Sequence, residues 1–419
     1  MRKTWLIVAV LLTVLMPLAF AGGNRQQASS GRVQLTIWTL DSRMGMFDPL
    51  VREYMAANPN VQITVSYFST DGIKDALHVA ASSRTLPDMW FNWGGSLGGF
   101  YAENNMVYDF TNYAKEHSWD KIFSGGALQL CTLYGKLAGY PTSLNVLAMY
   151  YRKDIFERLN LTVPATFEEF ERVCDTLVQN GIIPMTTGGL YGWHTMRYVE
   201  QLIEFYAGPD LHNRMSSFQA SYNQDSVVRA LAKYKEWVDK GYFPPGFVTT
   251  DPGDTVLFMA SGRAAMDLQG QWYDGTLLQN DQNLSNYGTF PFPSRSNRLS
   301  AFAEMMQFNA NISREKLDAG VKLMDFLYGH SAANRYGQYY NLPLPRLDSE
   351  MPRNMPNVAQ MFGFANRYGT FTITDQAFPT EVADVLFNVQ DALANNQITP
   401  QQGAANIQTA IESYQRSRR

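Results

Sequence analysis

The first hundred residues alternate short apolar runs with amphipathic stretches in a regular order. The pattern predicts strands over Val33–Trp38, Val61–Tyr67 and Asp88–Asn92, with helices over Met46–Ala57 and Gly72–Ser83 between them. Strands and helices that alternate at this spacing are typical of a parallel sheet with helical crossovers. The fold class predicted from the pattern is therefore α/β.

The rest of the chain continues this pattern with longer helices. Two helix starts carry a capping box, in which Thr166 pairs with Glu169 and Thr399 pairs with Gln402. Further strands are predicted over residues 146–151 and 264–268, and helices over residues 166–180, 225–240, 254–260, 313–328, 380–395 and 399–414. A chain of 419 residues is too long for one hydrophobic core, so we expect two or three domains.

Polar and aromatic side chains follow three of the predicted strands. Asp41 comes shortly after the first strand, and Asn92 and Trp93 come at the end of the third. Gln271 and Trp272 follow a strand of the second half. Ligands of open α/β sheets bind beyond the carboxyl ends of the strands. Because indole faces and amide edges suit a ligand with apolar faces and hydroxyl edges, the pattern predicts a sugar site.

The N-terminus predicts export. Residues 1–21 combine the positive charges of Arg2 and Lys3, an apolar core and the cleavage pattern Ala19-Phe20-Ala21, which is typical of a signal peptide. The apolar stretch is short for a bilayer span, and residues 22–31 form a polar linker. Because no cysteine lies near the cleavage site, we expect a free periplasmic protein without a lipid anchor.

Composition and cysteine usage exclude several kinds of partner. The chain has 34 basic and 38 acidic residues, a net charge of -4 and no basic cluster, which argues against nucleic acid. Its five histidines are scattered and its glycine runs lack the Lys-Ser/Thr of a phosphate loop, so we expect no metal or cofactor.

Cys131 and Cys174 could pair in an oxidising compartment. Cys174 lies on the apolar face of a predicted helix, where a buried free thiol is expected.

Seven short segments carry a resemblance to a known family. In chain order they are Leu35–Thr39, Leu86–Trp90, Tyr134–Pro141, Met149–Phe156, Gly181–Pro184, Lys240–Phe243 and Gly262–Met266. At these separations they are similar to segments of the extracellular solute-binding proteins of bacterial carbohydrate ABC importers, the family that includes maltose-binding protein. The resemblance covers nearly all of the chain after the linker.

The resemblance implies a two-lobed type II periplasmic binding protein fold, with a mainly parallel sheet in each lobe and the ligand in the cleft between them. The implied lobes are residues 32–141 plus 292–343 and residues 142–291 plus 344–419. The implied crossings lie near residues 141–145, 290–293 and 342–346, where prolines cluster. The family also implies delivery of a sugar or oligosaccharide to the permease subunits of an ABC importer, and we expect a monomer.

Eight residues are candidate ligand contacts under this interpretation. The stacking candidates, each near a glycine in a predicted loop, are Trp93, Trp193 and Trp272. The polar candidates are Asp41, Asn92, Asn145, Gln271 and Glu304. Glu304 belongs to a segment in which many relatives have a glycine pair, so larger side chains are expected at this part of the cleft. Because the candidates are neutral or acidic, they favour a neutral sugar over an anionic ligand.

Two enzyme interpretations remain open on the sequence, together with other ligands. Ser96 lies in a G-x-S-x-G pattern after a strand, as in a hydrolase nucleophile elbow, and His194, His212 and His330 follow downstream. Asp41 and Glu304 could form the carboxylate pair of a glycosidase. Glycerol phosphodiesters, polyamines and peptides are alternative ligands of a binding protein. The pattern around Ser96 arises easily in a chain with 31 glycines, so sugar binding is the favoured interpretation.

Overall fold

The computed structural model describes residues 31–329, 332, 344–349 and 355–418. The strands are β1 Val33–Leu40, β2 Val61–Phe68, β3 Met89–Trp93, β4 Thr132–Leu133, β5 Lys136–Leu137, β6 Tyr140–Arg152, β7 Ile183–Thr186, β8 Ala264–Gly270, β9 Tyr287–Phe290, β10 Leu299–Phe308 and β11 Thr370–Thr372. The helices in the first half are α1 Met44–Ala57, α2 Thr70–Ser83, α3 Gly95–Glu103, α4 Thr111–Glu116, α5 Gly125–Cys131, α6 Lys153–Arg158, α7 Phe167–Gln179 and α8 Trp193–Ala207. Those in the second half are α9 Pro209–Ser216, α10 Asp225–Asp239, α11 Thr255–Ala260, α12 Tyr273–Gln279, α13 Arg314–Tyr328, α14 Pro356–Tyr368, α15 Thr374–Ala377, α16 Thr380–Ala394 and α17 Pro400–Ser417.

Three of the sequence predictions concern residues outside these ranges. The signal peptide of residues 1–21 and nearly all of the linker lie outside the described residues. Residues 342–343 of the third crossing also lie outside them.

One mixed sheet runs through the molecule in the order β2-β1-β3-β10-β6-β8-β7. Strand β1 is parallel to β2 and β3, and β7 is parallel to β8. In the centre, β10 is antiparallel to β3 and β6, and β6 is antiparallel to β8. We call the part around β1–β3 the N-terminal lobe and the part around β7–β9 the C-terminal lobe. The predicted two-lobed α/β fold is confirmed, but one mixed sheet is present where a mainly parallel sheet was expected in each lobe. Its two long central strands, β6 and β10, are paired with each other where the lobes meet.

The local sequence signals operate as predicted at both capping boxes. Thr166 Oγ1 accepts a hydrogen bond from Glu169 N at 3.2 Å, and Glu169 Oε2 accepts one from Thr166 N at 3.3 Å. Thr399 and Gln402 exchange the equivalent bonds at 3.2 and 2.8 Å. Each pair satisfies backbone N–H groups that have no partner within the helix, so α7 and α17 begin where the sequence predicts.

Helix α8 and strand β10 are two major elements that the sequence pattern did not predict. Eleven residues of α8 are buried, from His194 to Glu204, so the helix has no polar face to reveal its period. All ten residues of β10 are buried, including Glu304 and Gln307. A strand that is covered on both faces shows no alternation of apolar and polar residues. The polar residues of β10 also interrupt the continuous apolar run by which such a strand is otherwise recognised.

The two cysteines are both buried and unpaired with each other. The expectation of a buried free thiol at Cys174 is therefore confirmed, and burial raises the pKa of both thiols. Within the described ranges, no helix has the length and apolar character needed to cross a bilayer.

Candidate functional site

A cavity of about 560 Å³ lies between the two lobes. The N-terminal lobe contributes the segment after β1, the start of α2 and the end of β3. The C-terminal lobe contributes the starts of α8 and α12 and residues 251–253, while β10 and α15 complete the wall. The volume falls within the range of about 300–1,000 Å³ that is usual for small-molecule sites. Strand ends and helix starts from both lobes thus converge on one cavity.

The three candidate tryptophans line this cavity together. Trp93 packs edge to face on Phe91 with 4.7 Å between ring centroids, and Trp272 tilts against Phe302 at 5.6 Å. Trp272 lies between β8 and α12, as expected of a loop residue. The expectation of a loop is wrong for the other two, because Trp93 ends β3 and Trp193 begins α8.

Two cations lie between the tryptophans. Lys74 Nζ is 5.2 Å from the ring centroid of Trp93 and 5.9 Å from that of Trp193. Arg197 Cζ is 4.8 Å from the ring centroid of Trp193 and 5.4 Å from that of Trp272. These distances are in the range of cation–π attraction, which fixes the indoles in place before a ligand arrives. The three rings therefore form a preorganised aromatic wall.

Trp193 also joins the two lobes across the cavity. Its Nε1 donates a hydrogen bond to Asp71 Oδ2 at 3.3 Å, and Asp71 Oδ1 accepts one from Lys74 Nζ at 2.7 Å. Asp71 and Lys74 belong to α2 of the N-terminal lobe, whereas Trp193 begins α8 of the C-terminal lobe. This contact holds the cleft narrow on its α2 side.

Glu304 lines the cavity from the central strand β10 and is bound to Arg43. Arg43 Nη2 donates to Glu304 Oε2 at 2.5 Å, and Arg43 Nη1 donates to Tyr328 Oη at 2.8 Å. Burial raises the pKa of Glu304, and the charge of Arg43 opposes that shift. Arg43 also lies 4.7 Å from the ring centroid of Phe91. The carboxylate is therefore fixed in one orientation at the wall of the cavity.

Arg197 is a buried cation in the C-terminal part of the wall. Its Nη1 donates to Gln269 Oε1 at 2.9 Å and to the carbonyl oxygen of Leu268 at 3.2 Å. Burial lowers its pKa to about 10, so the guanidinium stays charged at neutral pH. Its Nε has no hydrogen-bond partner within the described protein. Arg197 therefore has a donor to offer to a ligand.

Four more polar atoms of cavity residues lack a partner within the described protein: Thr142 Oγ1, Tyr273 Oη, Asp375 Oδ1 and Gln376 Oε1. Burial raises the pKa of Asp375, against the positive charges of Lys74 and Arg197. A buried polar atom without a partner costs about 1–3 kcal/mol. Unsatisfied atoms that cluster around one cavity are typical of a site that is completed by a polar ligand.

Three of the predicted polar contacts do not line the cavity, and their side-chain oxygen atoms accept hydrogen bonds from residues of the sheet. Asn92 Nδ2 donates to Gln307 Oε1, and its Oδ1 accepts from Trp93 N, both at 2.9 Å. Gln271 Oε1 accepts from the backbone of β6, and its Nε2 donates to Asn145 Oδ1 at 2.9 Å. The structure places Asn92, Asn145 and Gln271 behind the cavity wall. Asp41 does line the cavity and is exposed.

Ser96 has a structural role that does not fit a nucleophile. Its Oγ donates to the backbone carbonyl of Asp375 at 2.9 Å, which attaches α3 to α15. Two of the downstream histidines are bound elsewhere, His194 to Asp267 at 3.1 Å and His212 to Glu204 at 2.7 Å, and the third, His330, lies outside the described residues. The G-x-S-x-G pattern therefore marks a tight packing site, at which a Cβ on Gly95 would lie 2.2 Å from the backbone of Gln376.

Sequence reasoning missed the charged residues on helices, including Lys74 and Arg197. The sequence contained one signal that could have identified these two residues, namely their spacing from other candidate residues along a helix. Arg197 is four residues after Trp193, and Lys74 is three residues after Asp71, so each pair shares one face of a helix. Without a prediction of α8 the first pair could not be recognised.

Glu200 of α8 is hydrogen-bonded to α15, which forms part of the cavity wall, and its burial predicts a pH dependence of stability. Its Oε2 accepts a hydrogen bond from Thr374 N at 2.8 Å, at the start of α15. Burial raises the pKa of Glu200 to about 8, despite that hydrogen bond. The folded state therefore keeps the proton to a higher pH than the unfolded chain, so the stabilising contribution is full below about pH 4.5 and is lost as the pH rises to about 8.

Replacing Glu200 by Gln is expected to stabilise the protein by about 5 kcal/mol at pH 9 and to change little at pH 4. The amide keeps the acceptor for Thr374 and cannot ionise. Urea unfolding at both pH values measures the difference, with the exposed Glu381→Gln as a matched control. A Glu200→Gln variant that lost as much stability as the parent between pH 4 and pH 9 would contradict the assignment.

The site is typical of a protein that holds a small polar ligand in a cleft between two lobes. It has an aromatic wall built from both lobes and polar atoms without a partner in the described part of the chain. The comparisons with known proteins agree. The model of the family described as bacterial extracellular solute-binding protein matches residues 40–334, more than half of the chain. The chain belongs to this family. It is therefore an exported, solute-binding protein rather than an enzyme, and the two hydrolase interpretations are wrong.

The similar proteins include sugar-binding proteins. The multiple sugar-binding protein of Streptococcus mutans is 20% identical over 371 residues, which cover 85% of each chain. A solved chitin oligosaccharide binding protein has a TM-score of 0.83 at 20% identity, covering 92% of this chain and all of that one. The maltose/maltodextrin-binding domain MalE of Bdellovibrio bacteriovorus, solved with maltotriose bound, has a TM-score of 0.73 at 15% identity, covering 92% and 100%. At these identities the structures establish the fold.

Proposed function

We propose that this protein captures an oligosaccharide in the interlobe cavity and delivers it to the permease subunits of an ABC importer. The observation that carries the proposal is that Trp93, Trp193 and Trp272, from both lobes, line one cavity. Indole faces stack on the apolar faces of sugar rings. Three such rings in one cavity suit a ligand of more than one sugar ring. The sugar ligands named for the relatives support the same class of ligand.

Fixed polar groups between the rings supply the hydrogen bonds. Glu304, held by Arg43, accepts bonds from hydroxyl groups, and so does Asp375, whereas Arg197 donates through its free Nε. Hydrogen bonds to charged groups contribute about 1.5–3 kcal/mol each. Micromolar affinity requires about 8 kcal/mol, so a few such bonds together with stacking are sufficient.

Transport follows from movement of the lobes. The proposed lobes are residues 32–141 plus 292–343 and residues 142–291 plus 344–419, with hinges at the three crossings. A ligand that contacts both lobes favours the closed form, which the permease would recognise. We further propose a monomer in the periplasm, released by cleavage after residue 21 and not lipid-anchored.

A thermal-shift screen of the protein against mono- and oligosaccharides tests the proposal. A ligand at 100 times its dissociation constant adds about 2.7 kcal/mol of stability, and calorimetry then gives the affinity. Ser217→Ala is the matched control, because Ser217 is exposed, does not line the cavity and bonds only backbone carbonyls of its own helix turn, so affinity should be nearly unchanged. A panel in which no saccharide raises the melting temperature would refute the proposed function, and shortened saccharides in the mixture would restore the hydrolase interpretation.

A further inference from the structure

Acidic side chains from both lobes surround the mouth of the cavity. Tyr191 lines the cavity and is 41% exposed, so it marks the mouth. Asp71 of α2 and Asp251 of the C-terminal lobe line the same cavity as Tyr191. The charges of these two residues and of Asp75, one helical turn after Asp71 on α2, act on the hydroxyl group of Tyr191. Burial of part of the ring and these three negative charges raise the pKa of Tyr191. The carboxylates therefore create a negative potential at the point where a ligand enters.

Lys74 is the cation at this mouth, and carboxylates outnumber it. Its Nζ is 2.7 Å from Asp71 Oδ1. It also interacts with Asp384 of α16, whose pKa is raised by burial and by the charge of Glu381. We call Asp71, Asp75, Asp251 and Asp384 the acidic rim. After Lys74 has neutralised Asp71, the other three carboxylates of the rim keep their excess negative charge.

Among the described residues, the cavity wall contains two further cations, and neither neutralises the rim. Arg43 is bound to Glu304 at 2.5 Å. Arg197 is 5% exposed and donates to Gln269 and to a backbone carbonyl. Both guanidinium groups therefore act inside the cavity, where they meet the ligand after it has passed the mouth.

A second observation, independent of the charges at the mouth, points to a polar ligand: the cavity wall contains buried polar atoms without a hydrogen-bond partner among the described residues. Thr142 Oγ1, Arg197 Nε and Gln376 Oε1 lack a hydrogen-bond partner within the described protein, and these residues are only 4%, 5% and 5% exposed. Hydroxyl groups can both donate and accept, so an uncharged sugar satisfies all three atoms.

We propose that the acidic rim selects the ligand by charge, so that uncharged oligosaccharides enter and oligosaccharides that carry a uronate are rejected. This inference rests on the proposed function and names the substrate class of the same site. Like charges brought together at an interface oppose binding, and rejection of this kind is a common source of specificity. The screening length is about 8 Å at physiological ionic strength, so the rim acts on a ligand only at the mouth.

The charge of the rim is tested first without any sugar, by quenching of tryptophan fluorescence. Iodide should quench the cavity tryptophans less than caesium at the same concentration, with uncharged acrylamide as the reference. The double variant Asp75→Asn/Asp384→Asn should narrow that difference, because it removes two rim charges at exposed positions that do not line the cavity. Asp120→Asn/Asp210→Asn, which changes two exposed carboxylates outside the rim, is the matched control. Equal quenching by iodide and caesium in the parent protein would overturn the proposal.

The second test uses a neutral oligosaccharide that binds and the same chain with one terminal sugar oxidised to a uronate. Calorimetry should show that the uronate binds at least about tenfold more weakly than the neutral oligosaccharide. The ratio of the two dissociation constants should fall at high salt and in the Asp75→Asn/Asp384→Asn variant. Equal affinities would overturn the charge selection while leaving the proposed function intact. If no oligosaccharide binds, the proposed function fails, and the quenching experiment still decides whether the rim repels anions.

Discussion

Trp193→Ala is expected to weaken oligosaccharide binding at least about 30-fold, which corresponds to about 2 kcal/mol. The substitution removes one stacking face and releases three neighbours. Asp71 loses the donor that joins the lobes, and Lys74 and Arg197 lose the ring between them. Titration calorimetry with the best ligand of the saccharide panel measures the change.

Two variants separate this effect from a general loss of an aromatic ring. Tyr134→Ala removes a ring that is 53% exposed and does not line the cavity, so binding should be unchanged. Trp193→Phe keeps a smaller face and should fall between the parent and Trp193→Ala. If Trp193→Ala bound the ligand as tightly as the parent, the indole would not be part of the site.

Glu204→Gln is expected to lower the free energy of unfolding by about 3 kcal/mol at pH 7. Glu204 is 1% exposed and accepts hydrogen bonds from His212 at 2.7 Å, from Arg298 at 2.8 Å and from Ser296 at 2.5 Å. An amide cannot balance the charge of Arg298, and its NH2 group faces one of these donors. The substitution therefore leaves a nearly buried cation without its partner.

The same carboxylate gives this prediction a pH test. Burial alone would raise the pKa of Glu204, but the hydrogen bonds from His212, Arg298 and Ser296 outweigh it and lower the pKa to about 2. Its stabilising contribution is present above about pH 4.5 and is lost as the pH falls toward 2. Urea unfolding should show a smaller difference between the parent and Glu204→Gln at pH 3 than at pH 7. Exposed Glu168→Gln is the control, and a difference that stayed constant with pH would contradict the role of the charge.

Local signals in the sequence were sufficient for elements that have one polar face. The capping boxes at Thr166 and Thr399 fixed the starts of α7 and α17, and alternation revealed β1 and β2. The fully buried strands β3 and β8 were still predicted from their short apolar runs, whereas α8 and β10 are buried and also contain polar residues, so neither a polar face nor an unbroken apolar run revealed them. The sequence pattern could not predict that β10 is antiparallel to β3, because this pairing joins residues more than about 200 positions apart.

The site could be predicted only in part, for a related reason. An aromatic ring near a glycine outside the predicted helices and strands indicates a binding residue, and all three tryptophans chosen in this way line the cavity. An amide at the same place can turn to the ligand or to a neighbouring strand. Asn92 and Gln271 bond to groups of the central strands, and no local pattern reveals that choice. Arg43 was missed because its partner Glu304 is 261 residues away in the chain.

The position of β10 in the sheet has a consequence for biosynthesis. The neighbour that β3 needs on its open edge is β10, which is made only after the whole of β6–β9. The first lobe therefore cannot complete its core while the ribosome is still producing the middle of the chain. Pairing over such long sequence separation is slow. The N-terminal lobe is therefore expected to remain without its last strand until residue 308 has been synthesised.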